Sequence, residues 1–122
     1  MTTVLLLEDN ADMLAMMSQV LEWGGYTVWG GRSGKEGIAH LAEAAQLPDI
    51  IISDLLMPGM DGIAFLRHLR GNPDWADIPF VMMSAYSSSA ERHNAIQNGA
   101  NDFLVKPFNL DDFQNVLNRW QR

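Results

Sequence analysis

The chain has 122 residues, 48% of them apolar, and 15 Asp and Glu against 8 Lys and Arg, for a formal charge of -7 and a pI near 4.6. That size and apolar content support one domain over residues 1–122 and leave no room for a second. The negative balance excludes a sequence-independent grip on nucleic acid, which needs clustered cations, and the absence of cysteine excludes a disulfide framework, a thiolate metal site and a cysteine nucleophile.

No apolar run reaches the length of a membrane span, and the start of the chain lacks the charged and then apolar pattern of a signal peptide. A cytoplasmic protein without membrane contact is therefore expected. His40, His68 and His93 lie far apart without metal-ligand spacing and read as surface or helix-flank residues.

In chain order, Val4 to Leu7 reads as a strand whose unbroken apolar run implies cover on both sheet faces. Asn10 caps a helix carrying Leu14, Met17 and Leu21 until Gly24-Gly25, and Tyr26 to Trp29 form a second strand. Gly30-Gly31 turns the chain, and Ser33 caps the next helix, expected through about Ala45 with Ile38, Leu41 and Ala42 inward. Ile50 to Ser53 is the most apolar strand and a candidate for the sheet centre.

Leu56-Met57-Pro58-Gly59-Met60-Asp61-Gly62 is a loop, followed by a helix with Ile63, Phe65, Leu66 and Leu69. Phe80 to Met83 forms the fourth strand, and the Ser87-Ser88-Ser89 run caps a helix ending near Gly99. Its stripe, mainly Ala95 and Ile96, is the weakest of the set. Phe103 to Val105 is the fifth strand, and a last helix capped by Asn109 aligns Leu110, Phe113, Val116, Leu117 and Trp120.

Strands and helices that alternate in this way give a parallel sheet whose strands end on one edge. There the polar endings converge: Glu8 and Asp9 after the first strand, Asp54 after the third, Ser84 after the fourth and Lys106 after the fifth. Three neighbouring carboxylates need protons or a cation, and an all-oxygen set favours Mg²⁺, with Mn²⁺ as a substitute. Alone, Glu8-Asp9 would equally serve as an acidic helix start.

A carboxylate closing a very apolar strand is costly unless paired, metal-bound or chemically used, which makes Asp54 a candidate nucleophile toward phosphorus. Lys106 would neutralise charge on a transferring phosphoryl group, and the Ser84 hydroxyl would donate to one of its oxygens.

These residues carry a resemblance. Leu7-Glu8-Asp9-Asn10, Ser53-Asp54, Met57-Pro58-Gly59-Met60-Asp61-Gly62, Ser84-Ala85 and Phe103-Leu104-Val105-Lys106-Pro107-Phe108 resemble a receiver domain of two-component response regulators, similar to the single-domain chemotaxis type. The resemblance covers essentially the whole chain.

It implies a flavodoxin-like, doubly wound α/β fold with a five-stranded parallel sheet in the order 2-1-3-4-5 between helix layers. It further implies that Asp54 accepts a phosphoryl group from a histidine kinase or phosphotransfer partner. Asp9 and Asp54 would bind Mg²⁺, with Glu8 acting through water and the Leu56 carbonyl completing the set. A cis Lys106-Pro107 bond is implied too, as is a switch in which Ser84 and Phe103 move and alter the surface of the fourth helix, fifth strand and fifth helix for a partner or attached output.

Such a domain catalyses only its own phosphorylation and dephosphorylation, and is a monomer or a weak phosphorylation-dependent dimer. Departures are Ser84 for the commoner threonine, Phe103 without a tyrosine hydroxyl, and bulky Leu56 and Tyr86, expected to shield the acyl phosphate. A flavodoxin would need a hydroxyl-rich phosphate loop where Glu8 and Asp9 stand. A haloacid-dehalogenase-type phosphatase would need a second acid where Leu56 stands. A docking-only receiver would be expected to lack Asp9, Asp54 or Lys106, and all are present.

Overall fold

Alternate residues of the strands divide two cores. In the computed structural model, which describes residues 2–85 and 88–120, the strands are β1 (Thr3–Leu7), β2 (Thr27–Gly31), β3 (Ile50–Asp54), β4 (Phe80–Ser84) and β5 (Asp102–Val105). Leu5, Leu7, Ile51, Phe80, Met82 and Phe103 face one side, whereas Val4, Leu6, Ile50, Ile52, Val81, Met83 and Leu104 face the other. Both faces are buried, which is why the runs are continuously apolar.

Helices α1 (Ala11–Trp23), α2 (Gly34–Glu43), α3 (Gly62–Arg70), α4 (Ser89–Gln97) and α5 (Leu110–Trp120) connect the strands. The first face packs Leu41 of α2, Phe65, Leu66 and Leu69 of α3, and Ala95 of α4. The second packs Met17 and Leu21 of α1 against Phe113, Val116 and Leu117 of α5. The strand order is β2-β1-β3-β4-β5, all parallel, as expected. The order reverses between β1 and β3, where Val4 pairs with Ile50 and Leu7 with Ser53, and a crevice opens beyond their carboxyl ends.

Local chemistry sets the helix starts. Asn10, Ser33, Asp61 and Ser88 each accept a backbone N–H from three residues on, and Asn109 does the same for Asp112. Gly25, at φ 91°, turns the chain out of α1.

Four expectations are corrected. The second strand is displaced toward Gly31: Tyr26 stays outside it, stacked edge-on with Phe113 at 5.0 Å, and Gly30 and Gly31 continue the ladder beside Leu6 and Leu7. A Cβ at Gly31 would come within 2.7 Å of the Leu7 side chain, so a residue read as a turn is a packing requirement. Helix α2 ends at Glu43, and Ala42 is exposed; its inward face is Gly34, Gly37 and Leu41, with Ile38 partly buried against the core as expected, and the two glycines let the helix approach the sheet closely. Ile96 is 45% exposed, leaving Ala95 as the buried residue of α4. Trp120 agrees with its place at the end of the α5 stripe as a core-edge aromatic, 37% exposed at the rim with its Nε1 donating to Asp102.

Candidate functional site

Strand ends bring four of the expected groups together. Glu8 leaves β1 and Asp54 closes β3, and both are almost completely buried, Asp54 at 3% exposure. Lys106, just beyond β5, reaches across β4 and donates from Nζ to Glu8 Oε1 at 2.7 Å and to Asp54 Oδ2 at 2.6 Å. Its peptide bond to Pro107 is cis, as the resemblance implied. One carboxylate oxygen each from Glu8, Asp9 and Asp54 lies within 4.8 Å of the others.

Backbone and side-chain donors fix this cluster. Glu8 Oε2 accepts the Asn10 N–H at 3.0 Å, and Asp54 Oδ1 accepts the Leu56 N–H at 3.4 Å. The guanidinium of Arg32, at the start of the β2–α2 turn, donates twice to the Asp9 carbonyl, at 3.2 and 3.0 Å. Gly62 lies against the same strand end: a Cβ there would sit 2.5 Å from the Asp54 carbonyl oxygen and 2.7 Å from Met82 Sδ. The glycine of the expected loop motif is thus a space requirement beneath Asp54.

The electrostatics follow from burial and crowding. The Asp9 carboxyl is pushed above the ordinary aspartate value, first by burial and then by hydrogen bonding to and repulsion from Glu8. Burial alone would lower Lys106, but its hydrogen bonds to Asp54 and Glu8, and their charges, outweigh this and hold it above the usual lysine value. The ammonium therefore offsets part of the negative charge, and hard oxygen donors remain grouped for a small divalent cation. Asp9 and Leu56 line one shallow depression with Met57, Pro58, Gly59 and Asp61.

Two expected groups are elsewhere engaged. The Ser84 hydroxyl, 6% exposed at residue level, donates to Glu91 Oε2 of α4 at 3.5 Å. Phe103 is buried, at 5% exposure, with the Arg92 guanidinium 5.3 Å from its ring centre. The Leu56 side chain is 72% exposed, and Tyr86 lies outside the described residues, as does Ser87.

Arg32, Glu91 and Arg92 escaped the sequence reading. Ser88 followed three residues on by Glu91 is a recognisable helix-start pattern, but nothing local links Glu91 to Ser84. The histidines play no part: His40 stacks on Trp29, His68 lies near Trp75 and His93 is exposed. A surface cleft of about 590 Å³ lies at the opposite edge of the sheet, beside Pro48, Asp49, Pro79 and Trp120, and contains none of the converging groups.

Comparison with known proteins gives a consistent family. Residues 4–118 match the model of the response regulator receiver domain. The chain is 36% identical over 114 residues to the KDP operon transcriptional regulatory protein KdpE of Escherichia coli, covering 93% of this chain and 48% of that protein. It thus spans about half the length of that relative, and 23% of DctD from Rhizobium meliloti.

Among solved structures, the chemotaxis response regulator CheY4 of Vibrio cholerae superimposes with a TM-score of 0.86 at 33% identity, covering 96% of this chain and 99% of that one. The receiver domain of sensor histidine kinase PA1611 from Pseudomonas aeruginosa, solved with a magnesium ion in its active site cleft, gives 0.86 at 29% identity, covering 98% and 96%.

Proposed function

The chain belongs to the response regulator receiver domains of two-component systems, and from this premise we propose that it is a switch operated by phosphorylation of Asp54. The observation that carries the reading is the Lys106 ammonium bonded to a buried Asp54 at the β1–β3 crevice, with Glu8 and Asp9 grouped beside them.

A carboxylate oxygen of Asp54 attacks phosphorus of a phosphohistidine on a histidine kinase or phosphotransfer protein. The P–O bond forms as the P–N bond to imidazole breaks. Lys106 stabilises negative charge on the transferring oxygens, and the buried strand ends hold the nucleophile in place. Ser84 then donates its hydroxyl to the phosphoryl group.

The oxygen donors fit Mg²⁺, which Asp9 and Asp54 would hold directly, with the Leu56 carbonyl and, through water, Glu8; Mn²⁺ is a substitute. When bound, the ion supplies neutralisation of the carboxylates and of the phosphoryl oxygens. The magnesium-bearing PA1611 receiver supports this assignment.

The added charge, about -1.5 to -2 at neutral pH, shifts Ser84 and Phe103 and with them the α4-β5-α5 face, which binds an output protein or an attached effector. The regulators to which the chain is similar exceed it in length and act in transcription by name, consistent with output through a partner or neighbouring domain. The net charge of -7 disfavours direct DNA binding by this unit. Among the described residues, no helix is long and apolar enough to cross a membrane.

Incubation with Mg²⁺ and acetyl phosphate should add the mass of one phosphoryl group. Asp54→Asn should abolish the addition and EDTA should prevent it. A wild-type chain that gains no mass refutes the reading.

A further inference from the structure

Helix α4 is held to the molecule in an unusual way. Ala95 is its buried residue, and Ile96, Arg92 and His93 face solvent. With so little apolar area buried, side-chain contacts of its first turn carry a large share of its attachment. Two successive residues of that turn engage the two groups expected to respond to phosphorylation: Glu91 accepts the Ser84 hydroxyl, and Arg92 lies over the Phe103 ring.

The Ser88 hydroxyl accepts the Glu91 N–H at 3.0 Å, fixing the backbone from which the carboxylate projects. Ser84 follows Met83, which pairs with Asp54 in the sheet, so its hydroxyl stands at the edge where a phosphoryl group would arrive. A serine hydroxyl has one proton to donate. While Glu91 takes it, the phosphoryl group cannot.

We propose that Glu91 is a latch on the unphosphorylated state: it competes with the phosphoryl group for the Ser84 hydroxyl and ties the first turn of α4 to the resting site. This rests on Asp54 being the phosphoacceptor. Phosphorylation moves the hydroxyl's donation from the Glu91 carboxylate to a phosphoryl oxygen. It also adds like charge near Glu91, so the bond that ties α4 down is lost as the signal is written. Glu91 is a positioning residue, acting through Ser84.

The test measures the rate of Asp54 labelling by acetyl phosphate with Mg²⁺, by intact mass, alongside hydrogen exchange of α4. Glu91→Ala should label about fivefold faster, the loss of roughly one competing hydrogen bond. Glu91→Gln, which keeps an acceptor oxygen, should stay near the wild-type rate, whereas an effect of charge alone would accelerate both variants. In a Ser84→Ala background, Glu91→Ala should give no acceleration.

In the resting state Ser84→Ala and Glu91→Ala should each speed α4 exchange, and the double variant no more than either. Additive loosening, equal acceleration by Gln and Ala, or an unchanged Glu91→Ala rate overturns the latch while leaving the phosphoacceptor intact. Absence of labelling in the wild type overturns the phosphoacceptor reading itself.

Discussion

Asp9 and Lys106 show opposite consequences of the same crowded site. The raised Asp9 carboxyl means that its ionised form is disfavoured by folding, first by burial and then by Glu8. Its destabilising contribution is absent where both states are protonated and grows as pH rises above the unfolded value near 3.8. Asp9→Asn should therefore raise the melting midpoint in EDTA at neutral pH by about 2–5 °C while weakening Mg²⁺ binding, and calorimetry with and without Mg²⁺ checks both. A lowered midpoint would contradict this.

For Lys106 the folded value lies above the unfolded 10.5, so its stabilisation is complete below 10.5 and is lost as pH rises through the higher folded value. The stability difference between wild type and Lys106→Met in urea titrations should be flat from neutral pH to about 10 and shrink above it.

At the scale of elements, close approach is secured by glycines. A Cβ at Gly37 would lie 2.7 Å from Leu7 Cδ1 and 3.1 Å from Phe65 Cε1, atoms of the packed core. Alanine gains about 1 kcal/mol of helix propensity over glycine, but overpacking costs about 1–3 kcal/mol, so Gly37→Ala should be neutral to destabilising by urea denaturation. A gain of a full kcal/mol would mean that α2 can ride up freely.

Gly62→Ala meets a harder obstacle, the Asp54 carbonyl, and should slow phosphoryl labelling as well as lower stability. Neither role was legible locally. Gly30-Gly31 at the end of β2 looked like a turn, and the glycines of α2 gave no sign of their packing role, because a missing side chain carries no record of what occupies its place. The caps, by contrast, were legible, since Asn10, Ser33 and Asn109 act on N–H groups three residues away.

Across the whole molecule, Arg70 joins segments that the active edge does not reach. It donates to the carbonyls of Ala76, Ile78 and Gly99 and to Asn101 Oδ1, which also accepts the Phe80 N–H. The end of α3, the approach to β4 and the α4–β5 turn therefore share one side chain. Arg70→Met should cost about 2–4 kcal/mol in urea denaturation because several partly buried carbonyls lose their donor. Arg70→Lys should recover little of it, since an ammonium cannot reproduce the planar fork.

The alternating elements, the two-sided burial of the strands and the shared edge for Glu8, Asp9, Asp54, Ser84 and Lys106 are all present in the order of the residues. Those features follow from periodicity, local caps and the parallel rule, all readable along a chain. Which groups touch is set only by packing in three dimensions: Lys106 bridging Glu8 and Asp54, Arg32 gripping the Asp9 carbonyl, and Glu91 accepting from Ser84. Such pairings depend on helix placement to within an ångström, and residues far apart in sequence leave no local trace of it. The convergence of polar strand ends was written in the chain, but the partner that each of them holds at rest was not.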